Sequence, residues 1–248
     1  MFWLRLRKLS QIITDPYLFS ALLKGVAAGV EHKPQLQGLM CDFILDIGAN
    51  RGQFALISRR MFPRAMIHSF EPLEEPAQIF KRIFGDDPNV ILHACAIGRE
   101  KSTSTIHISR EDDSSSLLPF TEMQISLFPG ATEKDTRQVA VLPLSQVIGT
   151  TSIPPASLLK IDVQGYELEV LQGCDDLLDK FSYLYIECSF IELYAGQALA
   201  HQIIAWLNQR EFVLSGIYNM YYEKNGSVVQ GDFLFTREDK NYRSRPPK

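Results

Sequence analysis

The sequence predicts an α/β fold: a mainly parallel seven-stranded sheet with helices on both faces, completed by an antiparallel C-terminal hairpin. Three observations carry this expectation. From Cys41 to Ile217, short apolar runs alternate with amphipathic helical patterns, which is the sequence form of βαβ units. Near the end, Asn225-Gly226 stands between Tyr221-Tyr222 and a run from Asp232 to Thr236, a hairpin turn signal. The chain has 248 residues, 46% hydrophobic and 22% charged, which suits one domain with a sizeable core and excludes disorder or collagen-like repetition.

The elements follow in order. Residues 1–37 read as a mildly basic helical segment that ends near Pro34 and covers one face of the domain. At its start, Phe2, Trp3 and Leu4 with Arg5, Arg7 and Lys8 offer weak peripheral membrane contact through residues 2–9. The main domain is expected over residues 38–240. Phe43-Ile44-Leu45 leads into Asp46-Ile47-Gly48, a helix follows from Gln53 to Met61, a strand from Ala65 to Glu71, a helix from Glu74 to Phe84, and a strand from Val90 to Ala94. An insertion of about residues 99–143 then interrupts the alternation. It holds strand candidates at Thr103–Ile108 and Val139–Leu142, a polar stretch from Ser109 to Ser116, and an irregular region over 117–136. The alternation resumes with a strand ending at Asp162, a helix from about Tyr166 to Asp179, a strand from Tyr183 to Glu187, a helix from Leu199 to Gln209 and a strand from Phe212 to Ile217. Residues 241–248 form a basic tail.

Composition narrows the function classes. A net charge of -4 lacks the basic excess of a nucleic-acid binder, so no nucleic-acid partner is expected. Cys41, Cys95, Cys174 and Cys188 are far apart and lie in or beside apolar runs, which predicts reduced thiols and a cytoplasmic protein. No signal peptide stands out. The apolar stretch Tyr17–Val30 is too short for a transmembrane span and is broken by Lys24.

The stretch from Phe43 to Phe54 carries the first chemistry. Gly48 and Gly52 allow close ligand approach, with Ala49 and Asn50 between them, but the middle glycine of a dinucleotide fingerprint is missing. Asp46 at a strand end would repel a pyrophosphate and attract the ammonium of an amino-acid-like ligand. Glu71, followed by Pro72, ends the next strand about 20 residues after the glycine turn, where an acid accepts both ribose hydroxyls. Cys95 and Ala96 after the third strand leave room for a flat adenine. Together these residues favour a nucleoside without phosphate, and S-adenosylmethionine fits that description.

Three segments resemble the FkbM-type methyltransferases: Leu45-Asp46-Ile47-Gly48-Ala49-Asn50-Arg51-Gly52, Phe70-Glu71-Pro72, and Leu159-Lys160-Ile161-Asp162-Val163-Gln164-Gly165-Tyr166-Glu167. The resemblance spans roughly residues 42–236. It implies a Rossmann-like class I fold, S-adenosylmethionine as cofactor, and O-methylation of a small-molecule or glycan acceptor, most plausibly a sugar or secondary metabolite. The chain departs from the family where many members carry Glu in place of Gln164, and a Leu-Asp pair in place of Leu144-Ser145.

Asp162, at the end of the fourth strand, is the first candidate for general base; Glu187 is the second, and Glu167 a third that could reach the same cleft. Asp162 and Glu187 could hold a divalent metal, but two acids alone do not establish a site, so no metal is assigned. Lys160 points to the same sheet face as Asp162, to orient it or to form an ordinary ion pair. Ser114-Ser115-Ser116-Leu117-Leu118 supplies hydroxyls for cofactor or acceptor, or is a plain loop. Two rivals stay open: an NAD-dependent oxidoreductase, against which Asp46 and the missing glycine count, and a non-catalytic nucleoside- or partner-binding protein.

Overall fold

The computed structural model describes residues 2–110, 114–149 and 153–237, with side chains from residue 8 onward. The side chains invoked for lipid contact at Phe2–Arg7, and the basic tail at 241–248, lie outside the described residues.

The elements are α1 (Phe2–Ile13), α2 (Pro16–Leu23), a 3-10 turn (Val30–His32), α3 (Lys33–Leu36), β1 (Phe43–Ile47), α4 (Gln53–Met61), β2 (Met66–Phe70), α5 (Glu74–Phe84), β3 (Val90–His93), β4 (Ala96–Ile97) and β5 (Ser102–Ser109). They continue with α6 (Glu122–Leu127), β6 (Glu133–Leu142), α7 (Leu144–Ile148), β7 (Ser157–Ile161), α8 (Glu167–Gly173), β8 (Tyr183–Ser189), α9 (Ala200–Asn208), β9 (Phe212–Tyr222) and β10 (Val228–Arg237). Local chemistry sets several ends. Asp15 caps α2 by accepting from the Tyr17 and Leu18 backbone N–H groups, with Pro16 in the first turn. Helix α5 carries Glu74 and Glu75 in its first turn and Lys81 and Arg82 in its last, matching the helix dipole.

The main sheet runs β3-β2-β1-β7-β8-β10-β9. Its first five strands are parallel, and β10 pairs antiparallel with both β8 and β9. Strands β1 and β7 are buried on both sides, so they read as mainly apolar runs, interrupted by Asp46 in one and by Ser157 and Lys160 in the other, rather than as alternating ones. One face packs Leu45, Ile47, Leu159, Ile161, Leu184 and Ile186 against α8 and α9 through Val170, Leu171, Ile203 and Leu207. The opposite face packs Ile44, Ile67 and Leu158 against Leu56, Ile57, Phe80 and Phe84 of α4 and α5, and against Ile12, Leu18 and Leu36 of the N-terminal helices. The segment from Ile12 to Leu36 therefore contributes to the same core as the strands.

The insertion forms a second sheet, β4-β6-β5, in which β5 and β6 are antiparallel and β4 is parallel to β6. Sequence had predicted irregular chain over 117–136, but α6 and the first half of β6 lie there. Residues 133–138 are polar on both faces and nearly all exposed, so no apolar periodicity marks them; pairing with β5 sets the strand. The helix expected to reach Asp179 stops at Gly173, and a separate 3-10 turn covers Leu178–Lys180.

Candidate active site

The carboxyl ends of β1, β2 and β7 open into a cavity of about 270 Å³. Parallel strands leave such a crevice where the strand order reverses, here between β1 and β7.

Gly48 begins the turn after β1 with φ +78°, and a Cβ on it would lie 1.8 Å from the Asp162 carbonyl oxygen. Only glycine lets these two strand ends approach. The Gly48 and Ala49 N–H groups both donate to the Phe70 carbonyl, at 3.1 and 3.0 Å, tying the turn to the end of β2. Gly48, Ala49 and Asn50 all line the cavity. Gly52 does not: its φ of +95° and the closeness of Phe80 and Phe84 show that glycine there serves packing against α5.

Glu71 lines the cavity while only 7% exposed. Its two oxygens accept the backbone N–H groups of Leu73 at 2.8 Å and Asn50 at 2.9 Å. Burial pushes its carboxyl up to about 7, against the lowering effect of those two bonds and of nearby Lys160. Pro72, Leu73, Cys95, Ala96 and Ile97 continue the wall beside it.

Asp46 corrects the sequence reading. Its side chain is fully buried, pairs with Lys160 Nζ at 2.9 Å, and is absent from the cavity wall. Lys160 lines the cavity instead, and also donates to the Gly48 carbonyl at 2.8 Å. Register explains the pairing, since Asp46 and Lys160 are direct neighbours on β1 and β7. A buried carboxylate found its counter-ion one strand away rather than in a ligand.

The turn after β7 holds the other acids. Asp162 lines the cavity, and its Oδ1 accepts from Gln164 Nε2 at 2.8 Å. The same Nε2 donates to Glu187 Oε2 at 2.8 Å, while Gln230 Nε2 donates to Glu187 Oε1 at 2.9 Å. Glu187 thus has both oxygens engaged by amides and is set back from the cavity wall, one amide behind Asp162. Burial, then the charges of Asp162, Asp232 and Glu167, push its carboxyl well above the usual range. Glu167 turns inward and accepts from the Gly165 N–H at 2.9 Å and the Val163 N–H at 3.3 Å, bracing the turn. Burial raises it to about 7. Among the described residues, no group of three or more His, Cys, Asp or Glu side chains stands ready to hold a metal ion.

Sequence reasoning missed several wall residues. Gln164 is a hub: Tyr194 donates its hydroxyl to Oε1 at 2.7 Å, and the Ser116 hydroxyl donates to the Gln164 carbonyl at 2.5 Å. Ile106 lines the cavity from the insertion, beside Ser115 and Leu117 of the serine-rich segment that the sequence had singled out. Gly29, Glu31 and His32 bring the N-terminal segment, and Gln53 and Phe54 the start of α4. Gln164 is marked by its place two residues after Asp162; His32 carries no local signal, because only tertiary packing places it there.

Strand order and crevice define the arrangement of class I methyltransferases. The family model described as Methyltransferase FkbM domain matches residues 46–214, and the chain belongs to that family. It is 29% identical over 146 residues to "Methyltransferase 1" of Beauveria bassiana, covering 54% of this chain and 59% of that protein. It is 29% identical over 181 residues to "2-O-methyltransferase NoeI" of Sinorhizobium fredii, covering 68% and 72%. It is also 29% identical over 195 residues to "Methyltransferase sdnD" of Sordaria araneosa, covering 68% and 73%.

Proposed function

We propose that the chain uses S-adenosylmethionine to methylate a hydroxyl group of a sugar or other small-molecule acceptor. The observation that carries this reading is Glu71, a buried carboxylate at the cavity wall beyond β2, held by two backbone N–H groups so that its remaining lone pairs can accept a ribose diol. The wall fits the rest of the cofactor. Small side chains at Cys95 and Ala96 border the space for a flat base. Gln53 Oε1 is buried at the wall with no hydrogen-bond partner among the described residues, an acceptor suited to an ammonium. Ala49 and Asn50 would flank the amino-acid portion. The missing middle glycine of the dinucleotide fingerprint disfavours a diphosphate, and with it the NAD reading.

The bound cofactor supplies a methyl group already activated by sulfonium charge. The protein's residues then have to align an acceptor and exclude water. Asp162, at the end of β7 beside the Gly48 turn, has one oxygen fixed by Gln164 and, among the described residues, no hydrogen bond to its other oxygen, so it would accept from and orient the acceptor hydroxyl. The oxygen nucleophile draws support from the relative named a 2-O-methyltransferase. Incubation with methyl-labelled S-adenosylmethionine and a panel of glycans and hydroxylated metabolites should give a labelled methyl ether; labelled nitrogen or carbon products would overturn the oxygen assignment.

A further inference from the structure

Resting on this methyl-transfer reading, we infer that His32 accepts the proton of the acceptor hydroxyl, with Asp232 and Tyr185 holding its ring. The sheet supplies an axis. Glu71 follows β2, Gly48 follows β1 and Asp162 follows β7, so the ribose, amino-acid and acceptor positions run outward in that order. His32 lines the cavity and is anchored to the next strands along the same axis, through Tyr185 on β8 and Asp232 on β10. That places it on the acceptor side of the site.

The hydrogen bonds also set its tautomer. Nδ1 lies 3.0 Å from the Tyr185 hydroxyl oxygen and 3.4 Å from Asp232 Oδ2. The Tyr185 proton is committed to Asp232 Oδ2 at 2.7 Å, and the same oxygen accepts from Asn219 Nδ2 at 2.7 Å. Gln35 Nε2 donates to the Tyr185 hydroxyl at 2.8 Å. Burial pushes the Asp232 carboxyl up, but its bonds and charge contact with His32, with Asn219 and Tyr185, outweigh that and hold it below its usual value. Every group facing Nδ1 is therefore an acceptor. Nδ1 must carry the proton, and Nε2 keeps a lone pair.

Among the described residues nothing hydrogen-bonds Nε2. The ring edge bearing it lies over Gly29, where a Cβ would come within 2.8 Å of Cδ2 and 3.4 Å of Nε2, and Gly29 lines the cavity too. In the reaction the acceptor oxygen gains the methyl carbon as the carbon–sulfur bond breaks. The hydroxyl proton passes to His32 Nε2, and the products are a methyl ether, a neutral thioether and an imidazolium facing Asp232. Asp162 orients the hydroxyl while the imidazole takes its proton through the Nε2 lone pair.

Long-range proton–nitrogen NMR on the full-length protein at pH 8 tests the tautomer, with His32→Gln identifying the signal. A proton on Nδ1 and a bare Nε2 are expected; a proton on Nε2 would overturn the inference. His32→Gln should bind S-adenosylhomocysteine as the wild type does, yet lose about 100-fold or more in methyl transfer to a hydroxyl acceptor. Lost binding in this variant alone would make His32 a cofactor ligand and end the proton assignment. Wild-type protein that fails to bind S-adenosylhomocysteine would overturn the methyl-transfer reading itself.

Discussion

Asp46→Asn separates a structural role for this residue from a ligand-binding one. The substitution keeps volume but removes the counter-ion of Lys160, whose residue is only 5% exposed while that of Asp46 is fully buried. Lys160 would keep the carbonyl of Gly48 at 2.8 Å and the more distant one of Ile47 at 3.4 Å. Breaking a buried pair by removing one partner typically costs about 3–5 kcal/mol. In a chain of this size each kcal/mol lowers Tm by about 2–4 °C, so a fall of about 6–20 °C is expected. Urea and thermal melts followed by circular dichroism would measure it. The double variant Asp46→Leu with Lys160→Met removes both charges and should recover most of the loss. The reasoning is refuted if Asp46→Asn melts like the wild type while its affinity for S-adenosylhomocysteine collapses.

Other perturbations follow from the same geometry. Gly48→Ala forces a Cβ to 1.8 Å from the Asp162 carbonyl at φ +78°, so it should cost about 4 kcal/mol or more; melting within a degree or two of wild type would contradict the packing. Gln164→Ala removes the shared donor between Asp162 and Glu187 and should destabilise by about 1.5–3 kcal/mol in denaturant titrations. Glu71 predicts a pH dependence with a definite sign. Its carboxyl is raised from 4.5 to about 7 in the folded chain, so its contribution to stability is full below 4.5 and is lost as pH rises through 7. Ribose binding favours the ionised form and should run the other way, strengthening from pH 6 to 8. Glu71→Gln should flatten both trends in melts and calorimetric titrations, and trends that persist in this variant would exclude Glu71 as their source.

Much of the fold was legible because its signals are local. The Gln53–Met61 and Glu74–Phe84 helices occupy those same spans, since each carries its own amphipathic pattern. Strands β1, β2, β3 and β7 fall within a residue or so of expectation, marked by apolar runs between helices. The hairpin at Asn225-Gly226 forms with Gly226 at φ +88°, although both strands extend beyond the apolar stretches that announced them. The first half of β6 was invisible because an exposed, all-polar strand exists only through its partner.

The site divides along the same line. Gly48, Ala49, Asn50, Glu71, Pro72, Cys95, Ala96 and Asp162 sit at strand ends, and all reach the cavity wall. Asp46 and Glu187 are acids at plausible places along strands, but their neighbours across the sheet decide where they bond. Lys160 takes the first, and Gln164 with Gln230 take the second. His32 is 200 residues from Asp232 in sequence, so no spacing rule could have joined them.

Calorimetric titration of the wild-type chain with S-adenosylhomocysteine and, separately, with NAD tests the central claim most directly. The account predicts saturable binding of the first, weakened at least tenfold in Glu71→Gln, with no heat from the second. Binding of NAD in preference to the thioether nucleoside, or thioether binding untouched by the substitution, would contradict it.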